Sequence, residues 1–246
     1  MKVGYAVLYI NGTLVISKNH TLLQKSIIKD YGEFEDTDVP WKNESSKIKK
    51  VQILDQVKSN CVRKWFEDCI NLTKLINFKN LDVSDCKDFS CMFGYCTYLQ
   101  DLNGLQTWNV SNGTEFSSMF AYCKSLQNLN GLKKWNISNG TEFSSMFRNC
   151  DSLQNIDALQ TWNVSNGTDF SSMFNNCKSL QDLNALQTWN VSNGKSFKDM
   201  FAFCELLQNI LVSNTLSILR KDMFYNCNPT LKIHWKNHTY TYDDLL

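Results

Sequence analysis

The chain has 246 residues, 43% of them hydrophobic, with ten cysteines and a net charge of +1 from 25 basic and 24 acidic side chains. This length is ample for a buried core, and the hydrophobic fraction excludes wholesale disorder. The balanced charge excludes the bulk electrostatics of a nucleic-acid-binding protein. No run approaches the roughly 20 apolar residues of a membrane span.

Residues 3–17 predict a β-hairpin. Their alternating apolar pattern is interrupted at Asn11-Gly12, a pair that tolerates the positive φ of a tight turn. The apolar run before Asn11 is too short for a signal peptide, so no leader or anchor is expected. Residues 1–64 are predicted to form a β-containing N-terminal cap with a mobile loop near Trp41–Lys50, where a lysine-rich polar stretch follows an acidic run.

Residues 65–227 carry a repeat with a period of 27 residues. Tryptophans, Met-Phe pairs, cysteines and leucines all keep this step, which cannot arise by chance. Trp65-Phe66 belongs to a degenerate first copy, and the last copy is four residues shorter than the others. The recurring tryptophans and cysteines are Trp108, Trp135, Trp162 and Trp189, and Cys69, Cys96, Cys123, Cys150, Cys177, Cys204 and Cys227.

Each copy shows two apolar patterns. Phe116, Met119, Phe120 and Cys123 are spaced as one face of a short helix, which Thr114 or, alternatively, Ser111 would cap. Leu126, Leu129 and Leu132 are spaced by three, which favours a short strand between turns. One such unit cannot bury its apolar face alone, so neighbouring copies must stack.

The motif from Trp108 to Phe120, followed by Cys123 and Leu126, resembles that of the BspA-type leucine-rich-repeat family of surface proteins. Gly113 replaces an apolar residue of that motif, and Phe116 replaces methionine. The glycine is expected to loosen its turn or to let a neighbouring copy approach closely. The resemblance implies adhesion or host-protein contact in a microbe.

Together these patterns predict an α/β repeat solenoid of the leucine-rich-repeat type. Each 27-residue rung is expected to contain short parallel strands and one short helix. Caps are expected at both ends, with residues 228–246 forming the C-terminal one, in which residues 232–242 alternate as a single capping strand.

The seven repeated cysteines are predicted to be buried thiols that pack as small hydrophobic side chains, since pairing them would break the equivalence of the copies. Cys61, Cys86 and Cys91 lie outside this series, and a Cys86–Cys91 bridge stays open. Unbridged thiols favour the cytoplasm or a virion over the oxidising extracellular space. The frequent Asn-x-Ser/Thr sequences are interpreted as turn chemistry, because glycans on adjacent rungs would collide.

The sequence predicts no catalytic site, metal site or cofactor. His234, His238 and Cys227 only superficially suggest a metal cluster, because no second cysteine has the required spacing. The rungs contain no histidine for acid–base catalysis, and neither common phosphate-binding glycine loop occurs. The chain is therefore not expected to be an enzyme.

The residues between the repeated Phe and Cys vary from copy to copy, as on a binding surface, or as at unconstrained exposed positions. The candidate binding residues are Tyr95, Tyr122, Arg148, Asn149, Asn175, Asn176 and Phe203. The leading hypothesis is a scaffold that binds a protein partner, with partner and oligomeric state open. The alternative is a structural subunit of a larger assembly, such as a capsid-associated protein of a virus.

Overall fold

The structure is a computed structural model that describes residues 1–20, 26–212, 221–235, 238–241 and 244. Its strands are β1 (Lys2–Tyr9), β2 (Thr13–Ser17), β3 (Ile27–Glu35), β4 (Lys50–Ile53), β5 (Val57–Lys58), β6 (Lys74–Ile76), β7 (Leu81–Asp82), β8 (Asn209–Val212), β9 (Lys232–Trp235) and β10 (His238–Thr241). Short 3₁₀ helices cover Lys42–Lys47, Phe78–Asn80, Asn130–Leu132, Asp157–Leu159, Asn184–Thr188 and Lys221–Phe224. Within the described ranges there is no α-helix, and no helix could cross a membrane.

The N-terminal sheet has the strand order β3-β1-β2-β4-β6. The predicted hairpin is confirmed: β1 and β2 are antiparallel, with Leu8 opposite Leu14, and Gly12 has a φ of +80° in the connecting loop. Strands β4 and β6 then add in parallel. The sheet therefore changes from a hairpin to the parallel stacking used by the repeats.

The loop predicted near Trp41–Lys50 is instead partly helical, since Lys42–Lys47 form a 3₁₀ helix. Trp41 explains the difference, because its indole is buried in the core and its Nε1 donates a hydrogen bond to the carbonyl of Trp65 at 2.6 Å. A polar stretch beside a buried tryptophan is held against the core rather than released into solvent.

The predicted short helix in each rung is wrong. Between Phe116 and Cys123 the chain forms overlapping turns, in which the amides of Met119, Ala121 and Cys123 each bond the carbonyl three residues back. Ser118 and Tyr122 have φ values of +56° and +62°, as the third residue of a type II turn requires. Thr114 does not cap a helix, and its hydroxyl bonds the carbonyl of Lys87 in the previous copy at 3.4 Å.

The alternate amides of this segment hold the copies together. Phe116, Ser118 and Phe120 each donate to a carbonyl of the next copy at 2.9 Å, and Tyr122 does so at 2.7 Å. Parallel bridges link the same position from copy to copy at Asp88, Glu115, Glu142, Asp169 and Ser196. An α-helix would have used these amides internally, so the stacking of copies explains why the helix does not form.

The strand predicted at the repeated leucines forms only near the ends of the array, as β6 and β8. In the central copies, 3₁₀ helices such as Asn130–Leu132 occupy this place. The side chain of Asn128 accepts a hydrogen bond from the Asn130 amide at 3.1 Å, which turns the backbone away from an extended course. Leu126, Leu129 and Leu132 are nevertheless buried as their spacing implies.

The single capping strand predicted for residues 232–242 is also wrong. Strands β9 and β10 pair antiparallel, with His234 opposite Thr239, and β9 adds in parallel to β8. Residues 236 and 237, between the two strands, lie outside the described residues. The C-terminal segment therefore contributes two strands to a three-stranded sheet.

Stacked aromatic rings form the centre of the repeat core. One series of phenylalanines has ring centroids 5.5–5.7 Å apart, and a second has them 5.2–5.6 Å apart. These are offset-stacked distances that contribute beyond simple burial. The first series is Phe66, Phe93, Phe120, Phe147, Phe174, Phe201 and Phe224, and the second is Phe89, Phe116, Phe143, Phe170 and Phe197.

Candidate binding surface

The repeated cysteines are more than small hydrophobic side chains. Cys123 donates its thiol hydrogen to the carbonyl of Phe93, one copy earlier, with Sγ 3.2 Å from the oxygen. Five cysteines make this contact at 3.2–3.3 Å, and Cys227 makes a similar one at 2.9 Å. This role was not predicted from the sequence. The available signal was that cysteine, a small side chain that can donate a hydrogen bond, occupies the same position in every copy.

All ten cysteines are free in the structure, so Cys86 and Cys91 are not bridged. Burial raises the pKa of the Cys123 thiol far above its usual range, and it raises the pKa of Cys86 to about 12. Thiols with such pKa values hold little reactive thiolate at neutral pH.

The repeated tryptophans make the same kind of link between copies. Trp135 is buried, and its indole Nε1 donates to the carbonyl of Leu105 at 2.9 Å. The equivalent bonds of Trp108, Trp162 and Trp189 measure 2.8, 3.2 and 3.0 Å. The repeated tryptophans and the cysteines from Cys96 to Cys204 therefore connect each copy to the one before it and are buried, whereas Cys227, also predicted to be buried, is partly exposed.

Five of the candidate binding residues form one surface row, which we call the recognition row: Tyr95, Tyr122, Asn149, Asn176 and Phe203. They occupy the same position in successive copies, and all have φ values between +59° and +62°. Tyr95 and Phe203 are 44% and 39% exposed, and the other three are half-buried.

The two remaining candidates occupy the preceding position and differ from each other. Arg148 is exposed beside the row. Asn175 is buried, and its Nδ2 donates to the carbonyl of Asp199 at 3.4 Å. The structure therefore places Asn175 among the internal contacts rather than on the recognition row.

Tyr95 and Tyr122 stack on each other with ring centroids 4.4 Å apart and planes 7° from parallel. Burial raises the pKa of Tyr95, the neighbouring Tyr122 and the carboxylate of Asp68 act in the same direction, and the guanidinium of Arg148 acts against them. The tyrosine pair is thus an aromatic platform with a carboxylate towards one end and a guanidinium towards the other.

The backbone at the recognition row is costly for tyrosine. A left-handed conformation costs roughly 1–2 kcal/mol for most L-residues, whereas asparagine adopts it readily. Asn149, Asn176 and Asn226 show that asparagine serves at this position in other copies. Stability alone would not favour Tyr95 and Tyr122, and bulky residues in this conformation are enriched at functional sites.

A second row consists of stacked carboxylates, Asp88, Glu115, Glu142 and Asp169, linked by the parallel bridges. Burial raises the pKa of Glu115, and the negative charges of Glu142 and Asp88 raise it further. In the part of the chain that the structure describes, no group of three or more acidic, histidine or cysteine side chains is arranged to hold a metal ion.

These contacts define a repeat protein with a leucine-lined core, in which hydrogen bonds from backbone, cysteine and tryptophan join successive copies. The family described as "Mycoplasma protein of unknown function, DUF285" matches residues 59–180 and 127–235. The chain belongs to this family. Among curated proteins, no sequence matches the chain.

Two solved structures are similar to the chain. One is a leucine-rich cell surface protein from Faecalibacterium prausnitzii, 14% identical, with 96% of this chain and 76% of that chain covered and a TM-score of 0.39. The other is a leucine-rich repeat protein from Bacteroides ovatus, 12% identical, with coverages of 95% and 77% and a TM-score of 0.30. TM-scores this low do not establish a common fold.

Proposed function

We propose that the chain is a non-catalytic scaffold whose stacked copies form a solenoid and present the recognition row to a protein partner. In this proposal residues 65–227 form the array, and residues 1–64 and 228–246 cap it. The resemblance of the repeat motif to BspA-type surface proteins supports adhesion or contact with a host protein as the biological setting.

The stacked pair Tyr95 and Tyr122 carries the proposal. Both rings lie on a row whose backbone conformation favours asparagine, so tyrosine at these positions carries a cost to stability. Tyrosine and arginine are enriched among the residues that dominate protein–protein binding energies, and Arg148 is the exposed residue next to the row. Asparagine further along the row offers adaptable hydrogen bonding, as in antibody binding loops.

The test replaces Tyr95 and Tyr122 together by asparagine and compares affinity capture from native lysate by quantitative mass spectrometry. Loss of two anchor residues is expected to reduce capture of the partner at least about tenfold. The melting temperature is expected to stay the same or rise, because asparagine fits the left-handed backbone better. Lys133→Ala, an exposed change outside the row, is the matched control. Unchanged capture by the asparagine variant would refute the proposal.

A second candidate is a structural subunit of a larger intracellular assembly, supported by the ten free cysteines. Thiol titration of the protein from its natural source, combined with localisation, separates the two settings. Reduced thiols in a large particle would support the assembly subunit. An oxidised, exported protein would contradict it and favour the surface-binding scaffold.

A further inference from the structure

Among the described residues of the repeats, every exposed large apolar side chain except Leu211 in β8 lies at or next to the two ends of one surface strip. This strip, which we call the outer strip, contains the recognition row and the two positions that follow each repeated cysteine, which are exposed or half-buried. Its residues are connected along the array, since Ser152 donates to the carbonyl of Lys124 at 3.1 Å and Ser179 to that of Asp151 at 3.2 Å. The exposed apolar residues are Ile70, Tyr95 and Tyr98 at one end, and Phe203, Leu206 and Tyr225 at the other.

The charges between these ends alternate in sign. The position after each repeated cysteine carries Lys124, Asp151, Lys178 and Glu205 in four successive copies. Lys178 and Glu205 pair within the chain at 3.2 Å, whereas Lys124 and Asp151 have no ion pair among the described residues. When the series is read in the opposite direction, an acidic residue stands at each lysine position and a lysine at each acidic position. The outer strip is therefore electrostatically complementary to itself when two copies run antiparallel.

We propose that two chains associate antiparallel through their outer strips. The two-fold axis of this dimer passes between the repeat that contains Cys150 and the repeat that contains Cys177. This inference rests on the proposed function, and it commits the partner to a second copy of the chain. Lys124 then faces Glu205 of the second copy, and Asp151 faces Lys178 of the second copy. The same register places Tyr122 against Phe203 and brings the Tyr95 end against Tyr225, which packs on Phe203 with ring centroids 5.6 Å apart.

Other arrangements match less well. A parallel pairing in the same register places Lys124 on Lys124, a like-charge contact that disfavours association. A parallel pairing shifted by one repeat restores opposite charges. In that pairing the two chains use different parts of the strip, so the contact is heterologous and does not form a closed dimer. Only the antiparallel register matches charge and apolar ends together in a closed dimer.

The carboxylate of Asp151 lies at the centre of this register. One of its carboxylate oxygens is buried and has no hydrogen-bond partner among the described residues. An unsatisfied buried carboxylate oxygen is costly, and a nearby positive charge compensates for it. In the antiparallel dimer, Lys178 of the second chain faces Asp151 at the centre of the interface, and its positive charge acts on this carboxylate without contacting the enclosed oxygen.

The test is a charge exchange followed by sedimentation velocity over a concentration series. Lys124→Glu and Glu205→Lys each place like charges at two symmetric contacts, and each is expected to raise the dimer dissociation constant about tenfold or more. When the two variants are mixed, both contacts become complementary again, so a heterodimer is expected to form. Lys133→Glu, outside the strip, is the matched control and should leave self-association unchanged, and circular dichroism melting curves check the fold of every variant.

Wild-type protein that stays monomeric over the whole series would overturn the inference. A mixture that associates no better than the separate variants would also overturn it. If the protein is monomeric but the Tyr95→Asn, Tyr122→Asn variant still loses capture of another protein, the dimer is refuted and the scaffold proposal stands. If the tyrosine changes alter neither the mass of the sedimenting species nor the capture of a partner protein, both proposals fail.

Discussion

Gly140 and Phe143 fit together as a pair: a Cβ atom on Gly140 would lie only 2.4 Å from Cζ of the Phe143 ring. Gly113, Gly167 and Gly194 meet the phenylalanine three residues later at 2.2–2.5 Å. The two departures from the surface-protein motif, glycine for an apolar residue and phenylalanine for methionine, are therefore one steric exchange. The glycine admits a large ring, which then stacks on the rings of neighbouring copies.

Gly140→Ala is expected to destabilise the protein by about 1–3 kcal/mol, since the new methyl group overpacks the ring. Phe143→Met alone is also expected to be destabilising, because it removes stacking on Phe116 and Phe170 at 5.6 and 5.5 Å. In the double variant the two costs should not add, with a coupling of about 1 kcal/mol. Urea unfolding of the four proteins measures this cycle.

Gly94→Ala is the control for the glycine prediction. A Cβ atom there would meet nothing closer than 3.4 Å, and Ala121 and Ala202 occupy the equivalent position in other copies. This change is expected to be neutral or to stabilise by a few tenths of a kcal/mol. The pairing of Gly140 with Phe143 would be contradicted by additive costs, or by an equal response to alanine at positions 94 and 140.

Two asparagines in one turn are expected to respond oppositely to aspartate. Asn139 donates from Nδ2 to the carbonyl of Ser111 at 2.8 Å, so Asn139→Asp loses the donor and should cost about 1 kcal/mol. Asn136 accepts from the Ser138 amide through Oδ1 at 3.2 Å, a role that aspartate can also fill. At the equivalent position Asp82 already accepts from Ser84 at 3.0 Å, so Asn136→Asp should change stability by less than about 0.5 kcal/mol.

Thermal unfolding at neutral pH compares the two aspartate variants directly. A larger loss for Asn136→Asp than for Asn139→Asp would reverse the assignment of donor and acceptor. It would then be the Asn136 position, rather than the Asn139 position, that joins neighbouring copies.

Native thiol labelling should separate the cysteines into two classes. Seven are buried, whereas Cys61, Cys91 and Cys227 are partly exposed. Burial raises the pKa of Cys227 to about 11 and also raises that of Cys91, so even these two should react slowly near pH 7. Alkylation followed by mass spectrometry is expected to leave the seven buried thiols unmodified in native protein and to label all ten in denaturant. Rapid native labelling of Cys123 or Cys150 would contradict the closed packing of the copies.

Glu115→Gln is expected to stabilise the protein at neutral pH. Burial raises the pKa of Glu115 in the folded state, as do the neighbouring charges of Glu142 and Asp88, so ionisation destabilises the fold. This cost is present above the folded-state pKa and disappears as the pH falls below the unfolded-state value. The difference in melting temperature between variant and wild type should therefore shrink as the pH is lowered towards 4. A constant difference across pH would argue against a titrating cause.

The period of 27 residues and the identity of the core residues could be predicted from the sequence alone, because stacked copies must repeat their buried side chains at equal spacing. Phe116, Met119, Phe120 and Cys123 were correctly recognised as buried. The hairpin at Asn11-Gly12 was also predictable, since its turn chemistry is local. The exposed position of Tyr95 followed from variation between copies.

The conformation between these core residues was decided only by tertiary structure. A helix and a series of overlapping turns bury the same residues, so apolar spacing cannot distinguish them. Hydrogen bonding distinguishes the two, because every second amide from Phe116 to Tyr122 bonds a carbonyl of the next copy. A prediction from the local sequence does not include that neighbouring copy. The left-handed backbone of Tyr95 and Tyr122, on which the functional proposal depends, arises from those same bonds between copies.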